Sequence, residues 1–211
     1  MFNEKERQVY RKKYIDRYTA VNSGFISTDE PYMAINHGIS PSTAGKYKDR
    51  LDLLFGWNGD IRNLSKEMAY WIYENEVWHY LSLDRVMEYS EELVELMFKW
   101  STKAAGHRPI SSLQESMNLL NKGRFGFKKI PSDGKFGKKT ITLLNKMIHE
   151  YANVDIINIL IYLLHCDYLM WIKNIAIARP DDMVSDFNVA EVELTIRQMS
   201  RVLSTGTILN H

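Results

Sequence analysis

Two short segments of the chain carry the side chains and turn residues best suited to chemistry. Residues 29–40 are Asp-Glu-Pro-Tyr-Met-Ala-Ile-Asn-His-Gly-Ile-Ser, and residues 133–140 are Asp-Gly-Lys-Phe-Gly-Lys-Lys-Thr. The first segment begins with two adjacent carboxyl groups, Asp29 and Glu30. A carboxyl group can act as a general acid or base when the fold holds it within hydrogen-bond reach of the reacting atom. Glycine or proline interrupts both segments, which indicates irregular chain that neighbouring helices must position.

The other residues that could carry chemistry form no catalytic or metal-binding pattern. No two of the six histidines stand at i, i+4 beside a carboxylate, so a zinc site is not predicted. There is no Gly-x-Ser-x-Gly elbow for a nucleophilic serine, and the glycine pairs lack the Gly-Lys-Ser/Thr ending of a phosphate-binding loop. We therefore expect neither a metal nor a cofactor.

The composition is that of an ordinary globular protein. The 211 residues are 45% hydrophobic and 25% charged, enough for one sizeable core or two small ones. With 27 basic against 26 acidic side chains, no net field steers the chain toward nucleic acid, so we expect no nucleic-acid partner. The single cysteine, Cys166, excludes an internal disulfide.

Targeting and membrane signals are weak. The N-terminal residues have no apolar stretch of the secretory type, which predicts a location in a virion, or in the cytoplasm or periplasm of a host. Residues 154–178 are the most apolar segment but contain several charged and polar residues, whereas a membrane span needs about 20 residues almost without charge. We expect a buried core helix there and no membrane span.

Helical periodicity dominates the pattern of apolar residues. It predicts helices over residues 4–21, from 63 or 65 to 80, over 90–105 and over 189–203. Further helices are expected from Lys138 onward and across residues 154–178, and Ser111 with Gln114 predicts a capping box for a helix that reaches Asn121. Residues 22–43 lack periodicity and predict a loop or short hairpin. The expected fold class is all-α.

Basic residues are concentrated ahead of the helix expected at Lys138. Such a pattern is typical of a solvated loop, and an anion site facing the acidic stem peptides or teichoic polymers of a bacterial wall is the alternative. The residues are Lys122, Arg124, Lys128, Lys129, Lys135, Lys138 and Lys139.

Four short patterns follow one another in a characteristic order. A loop ends in Gly-Ile-Ser at residues 38–40, and a helix entry at residues 61–69 is followed by Ile-Tyr and Trp78. Later come Leu113-Gln114 and then Asp-Gly-x-x-Gly-x-x-Thr, which begins at Asp133. Over about residues 5–150 these patterns together resemble the phage-type N-acetylmuramidases of glycoside hydrolase family 108, with their C-terminal peptidoglycan-binding-like segment.

The resemblance implies a lysozyme-like helical fold and a cell-wall partner. It implies a muramidase-like N-terminal part at residues 1–87 and a peptidoglycan-binding-like helical part at residues 88–211. The implied substrate is peptidoglycan, cleaved at the β-1,4 bond between N-acetylmuramic acid and N-acetylglucosamine. We expect Asn22, Asn36 and Trp57 to bind the glycan, and Trp57 is favoured because a tryptophan in a loop can offer its ring to a pyranose.

The chain departs from the family at the positions that carry chemistry. The family's catalytic glutamate aligns with Asn22 or, if one gap is shifted, with Val21, and neither side chain can donate a proton. Glycoside hydrolysis needs a protonated carboxylic acid at the glycosidic oxygen, so this replacement removes the main proton donor. Further on, Lys99 and Lys103 stand where the family has an aspartate and an asparagine near its cleft.

Two functional hypotheses follow from these departures. The favoured hypothesis is a muramidase-derived protein with impaired catalysis, located in a phage virion or tail. It would engage peptidoglycan or serve in assembly with phage structural proteins. The alternative is an active phage N-acetylmuramidase, an endolysin or tail lysozyme, in which Glu30 or Asp29 supplies the acid from the same loop.

Overall fold

The computed structural model divides the chain into two compact units, Met1–Asp84 and Arg85–His211. It describes residues 3–27, 34–104, 106–121, 128–151, 155–178 and 184–205, with side chains from residue 189 to 200 in the last range. Helices account for most of the described chain, and the only described sheet has two short strands. The expected all-α fold class is confirmed. The assignment of residues 1–87 and 88–211 to muramidase-like and peptidoglycan-binding-like parts stays a prediction.

The first unit packs helix α1, Glu4–Val21, against helix α4, Lys66–Tyr73, which continues as a π-helical segment, Glu74–His79. The rings of Tyr18 and Tyr73 meet edge to face at 5.1 Å between centroids, which fixes the contact between the two helices. In sequence, the remaining elements of the unit come between α1 and α4. They are β1 at Phe25–Ile26, β2 at Ile35–Asn36, α2 at Pro41–Gly45, α3 at Lys48–Phe55 and a 3₁₀ turn at Ile61–Asn63.

The two strands form an antiparallel hairpin that pairs Phe25 with Asn36 and Ile26 with Ile35. Residues 28–33, between the strands in sequence, lie outside the described residues. The hairpin is the short one that the glycine and proline pattern of residues 22–43 predicted. The chain then enters α2 earlier than expected because Ser40 caps the helix and Pro41 occupies its first turn.

The second unit is built around a long helix. After α5, Leu83–Val86, come α6 at Glu91–Lys103, α7 at Arg108–Asn121, α8 at Lys138–Glu150, α9 at Ile156–Ala178 and α10 at Val184–Thr205. Helix α9 packs against α6, α7, α8 and α10. By length and composition alone α9 could also cross a membrane. Its buried residues, Leu160, Leu164 and Tyr168 among them, fit a core helix, and the absence of a membrane span stays a prediction.

Most predicted helices are present, with two differences in detail. Ser65 caps α4 and Ser90 caps α6 through their side-chain oxygens, as their positions suggested. The capping box predicted from Ser111 and Gln114 is wrong because α7 already begins at Arg108. Ser111 and Gln114 therefore lie inside the helix, where Gln114 is free to bond across the unit. Helix α3 was not predicted, since its apolar residues Leu53 and Leu54 are exposed and break the expected stripe.

Candidate functional site

The carboxyl end of α1 lies against the hairpin, at the position where the family resemblance places its catalytic glutamate. Asn22 caps the helix, and both its backbone N–H and its Nδ2 donate to the carbonyl oxygen of Tyr18, at 3.2 and 2.8 Å. Val21, the other aligned position, is 81% exposed. The helix end thus presents a half-buried amide and an exposed alkyl group, neither of which is an acid.

Gly38 fits against Asn22 because it has no side chain. Its φ of +76° lies in the left-handed region, and an added Cβ would stand 2.7 Å from Tyr73 Oη and 3.2 Å from Asn22 Cβ. Tyr73 Oη in turn donates to the carbonyl oxygen of His37 at 2.9 Å. We refer to Asn22, His37, Gly38 and Tyr73 as the α1-end site. The Gly-Ile-Ser pattern is explained at its first position by this close approach.

Among the described residues, the ionisable groups near the α1-end site do not supply a general acid of the muramidase type. Burial raises the pKa of the Tyr73 phenol above its ordinary value, so it stays protonated and acts as a hydrogen-bond donor. The pKa of Glu67 is lowered by a hydrogen bond from its own backbone N–H, then by a hydrogen bond with Ser65, and to a smaller degree by His37. A glycosidase acid needs the opposite shift, because it must hold its proton until the bond breaks. Asp29 and Glu30 lie outside the described residues.

Asn36 and Trp57, both expected to bind the glycan, are buried and bond to backbone groups, and their role toward a sugar stays a prediction. Asn36 is buried, and its Nδ2 donates to the carbonyl oxygens of Ile61 and Leu64 at 2.9 and 3.1 Å. Trp57 is only 3% exposed, and its indole N–H donates to the carbonyl oxygen of Asp60 at 2.9 Å. Both side chains therefore hold the turn that leads into α4. Trp57 is therefore a buried residue although it lies in a loop.

Lys99 and Lys103, which stand where the resembled family has polar residues near its cleft, are largely buried and face α10. Their side chains are 15% and 18% exposed, and both form ion pairs with Glu191 of α10. Lys103 Nζ lies 2.5 Å from Glu191 Oε2, and the Tyr168 hydroxyl donates to Oε1 at 3.1 Å. Burial acts to raise the pKa of Glu191, but hydrogen bonds from Lys103 and Lys99 outweigh it, and the pKa is lowered. We refer to these residues as the Glu191 cluster.

His165 of α9 lies beside the Glu191 cluster and is kept neutral by its surroundings. Both of its ring nitrogens are buried without a hydrogen-bond partner among the described residues. Burial, and then the charge of Lys99, lower the pKa of His165 from 6.5 to about 4. A protonated His165 would lie near the Lys99 ammonium group in a poorly hydrated interior, so the cluster is sensitive to acid.

The second sequence segment is drawn together by one amide. Gln114 Nε2 donates to Asp133 Oδ1 at 2.9 Å and to Thr140 Oγ1 at 3.0 Å, and Gln114 Oε1 accepts from the Gly134 N–H at 2.9 Å. Gly134 has a φ of +70°, and a Cβ there would stand 2.6 Å from His107 Cβ. The residues of the Leu-Gln and Asp-Gly-x-x-Gly-x-x-Thr patterns are therefore neighbours in space, joined through Gln114.

Sequence reasoning missed the residues whose importance depends on distant partners. Glu191 and Tyr73 looked like ordinary helix residues, and no local spacing relates Glu191 to Lys99 or Tyr73 to His37. A clue did exist for the Glu191 cluster, because two lysines one helical turn apart on the apolar face of α6 require an anion when buried. The described residues contain no group of three or more metal-ligating side chains.

The chain is similar in fold to a solved structure from Brucella abortus, that of SagA. The likeness has a TM-score of 0.65 at 19% sequence identity and covers 93% of this chain and 95% of that chain. No family model and no curated protein matches the sequence. At this identity the likeness is one of fold.

Proposed function

We propose that this protein is a muramidase-derived phage protein that engages peptidoglycan, or serves in virion or tail assembly, without efficient cleavage of the glycan. The observation that carries the proposal is the α1-end site. At the position aligned with the family's glutamate the chain has Asn22, whose side-chain amide donates a hydrogen bond to the Tyr18 carbonyl oxygen of the same helix. An amide can hold a sugar by hydrogen bonds, but it cannot protonate a leaving oxygen.

The surroundings of Asn22 support the proposal because they retain the framework of the motif. Gly38 still allows the hairpin to approach the helix end, and Tyr73 still anchors the backbone at His37. A fold that kept its shape while one polar side chain changed is better suited to binding than to an unrelated reaction. The likeness in fold to Brucella SagA agrees with a common scaffold and carries no further information on activity.

An active N-acetylmuramidase remains the second candidate. Two carboxyl groups, Asp29 and Glu30, follow β1 in sequence, and a protonated carboxyl from this loop could in principle replace the missing donor. Placement is the difficulty, since a displacement of about 1 Å from the productive position can cost roughly a hundredfold in rate.

The experiment that separates the candidates measures binding and cleavage on the same material. Purified peptidoglycan sacculi, stripped of other wall polymers, are incubated with the protein, sedimented, and assayed for bound protein and for new reducing ends. The proposal expects sedimentation with the sacculi and no reducing ends above buffer. Cleavage that Glu30→Gln abolishes and the exposed control Glu150→Gln leaves unchanged would establish the enzyme instead. If the protein neither binds nor cleaves the sacculi, assembly is left as its role.

A further inference from the structure

A groove in the second unit is lined by five lysines. It has a volume of about 520 Å³ and lies between the chain that precedes α8 and the first two turns of that helix. Its lining side chains are aliphatic or hydroxylic apart from the lysines, with Ile130, Pro131 and Leu143 among them. The lysines that define this lysine groove are Lys128, Lys129, Lys138, Lys139 and Lys146, all of them exposed.

The chain that carries two of these lysines is held in place although it has no regular secondary structure. Asn118 of α7 donates from Nδ2 to the carbonyl oxygen of Ile130 at 2.8 Å and accepts from the Ile130 N–H at 2.9 Å. Gln114, one turn earlier on α7, fixes Gly134 and Thr140 in the same way. Two amides therefore clamp the segment that ends at the start of α8, which pre-organises the lysines on one wall of the groove.

The local charge is unusual for this protein. The whole chain carries a formal net charge of +1, yet the residues that line the groove include five lysines and, among those described, no acidic side chain. Lys138 and Lys139 also occupy the first turn of α8, where the helix dipole disfavours cations. The like charges of Lys128, Lys129, Lys138 and Lys139, placed together against these local preferences, point to an anionic ligand.

The residues that line the groove favour a polymeric anion over a single phosphate group. Exposed lysine side chains act as separate point charges, and each exposed pairing contributes little, so one phosphate group would bind weakly while a polymer would gain by multivalency. Sites for single-stranded nucleic acid combine a basic groove with aromatic rings for stacking, and no described residue that lines this groove is aromatic. Ile130, Pro131 and Leu143 suit an aliphatic or sugar backbone.

We infer that the lysine groove binds a phosphodiester-linked polyol or sugar polymer of the bacterial wall, of the teichoic acid type. The inference deepens the proposed function and rests on it for the choice of a wall polymer. It assigns wall recognition to two places. The α1-end site would meet the glycan strand, and the lysine groove would meet the phosphate polymer.

The test uses the full chain and purified soluble teichoic acid, followed by titration at increasing salt. The variant Lys128→Gln/Lys129→Gln/Lys138→Gln/Lys139→Gln removes four charges from the groove. A control with the same charge change, Lys5→Gln/Lys13→Gln/Lys48→Gln/Lys173→Gln, alters exposed lysines elsewhere. We expect the groove variant to bind roughly tenfold or more weakly, the control within about twofold of the parent, and binding of the parent to fall steeply with salt.

The inference and the proposed function fail in different ways. Equal binding by the two variants, or no binding of teichoic acid by the parent, would overturn the inference. Equally tight binding of a single-stranded DNA oligomer would show a nucleic-acid groove and would also overturn it. Inorganic phosphate at millimolar concentration should not compete, and full competition would point to a single-phosphate site instead. Sedimentation with sacculi stripped of teichoic acid tests the proposed function alone.

Discussion

The α1-end site and the Glu191 cluster both contain residues that differ from the muramidase pattern the sequence resembles, and the two places differ in their surroundings. At the Glu191 cluster the carboxylate of α10 compensates two lysines and also accepts a hydrogen bond from the Tyr168 hydroxyl of α9. At the α1-end site the described neighbours of Asn22 include no carboxylate in hydrogen-bond contact with it. Gly38 packs against Asn22 and Tyr73, and Tyr73 donates to the His37 carbonyl oxygen.

The surroundings of a residue decide what its difference from the resembled pattern means. The lysines of the Glu191 cluster stabilise the second unit through their ion pairs, so they give no information about catalysis. Under the proposed function Asn22 occupies the place of a proton donor, so a change at this residue bears directly on catalysis. A substitution at Glu191 should therefore lower the stability of the second unit strongly. A substitution at Asn22 should change the cleavage of peptidoglycan.

The largest stability effect is expected for Glu191→Gln. The substitution keeps the shape of the side chain but leaves Lys99 and Lys103 without their carboxylate in a site where their side chains are less than one-fifth exposed. Breaking a buried ion pair in this way costs about 3–5 kcal/mol. Urea unfolding followed by circular dichroism measures the loss. Glu193→Gln on the same helix removes an exposed i, i+4 pair with Arg197 and should cost less than about 0.5 kcal/mol. Equal losses of stability in Glu191→Gln and Glu193→Gln would show that the Glu191 ion pairs are not buried.

Acid should weaken the same unit through His165. Because the folded pKa of about 4 lies below the unfolded value of 6.5, the unfolded state binds more protons between these pH values, and stability falls as pH falls from 6.5 toward 4. Each pH unit in that window contributes up to about 1.4 kcal/mol, for a total of roughly 3 kcal/mol. Glu191 adds a further loss below its unfolded pKa, since its folded pKa is lowered.

The measurement for His165 is the urea midpoint between pH 7 and pH 4.5. His165→Leu should flatten the dependence between these values, whereas His149→Gln, an exposed position on α8, should leave it unchanged. A pH dependence that survives intact in His165→Leu would show that other groups cause it.

Three glycine substitutions sharpen the description of the α1-end site. Gly38→Ala combines a left-handed φ with contacts to Tyr73 and Asn22 that are too close, and we expect a loss of about 2 kcal/mol. Gly24→Ala has a φ of +91° but no neighbour within 4 Å, so it should show only the strain, about 1 kcal/mol. Gly45→Ala, within α2 and also without a close neighbour, should be neutral or slightly stabilising. A different order of the three losses in thermal stability would show that Gly38 does not pack against Tyr73.

Local structure followed from the sequence where neighbouring residues decide it. Ser65 and Ser90 begin helices, the glycine-rich loop forms a short hairpin, and the α1 stripe gives an eighteen-residue helix. What could not be predicted depends on distant partners. The role of Asn36 comes from a turn 25 or more residues later, and that of Lys99 from a glutamate on α10. The loop position of Trp57 predicts a surface residue, whereas its ring is buried. The clamp formed by Gln114 was hidden by a local pattern that resembled a capping box.

Under the proposed function Asn22 occupies the place of a proton donor and cannot act as one. The decisive measurement is the release of reducing ends from purified peptidoglycan by the parent protein and by Asn22→Glu. Asn75→Glu is the matched control, because Asn75 donates to the carbonyl oxygen of Trp71 four residues earlier, just as Asn22 donates to Tyr18. We expect no release by the parent or by Asn75→Glu and a measurable release by Asn22→Glu. Release by the parent at a rate equal to that of Asn22→Glu would show that the lack of a carboxylic acid at residue 22 does not limit cleavage, and would overturn the proposal.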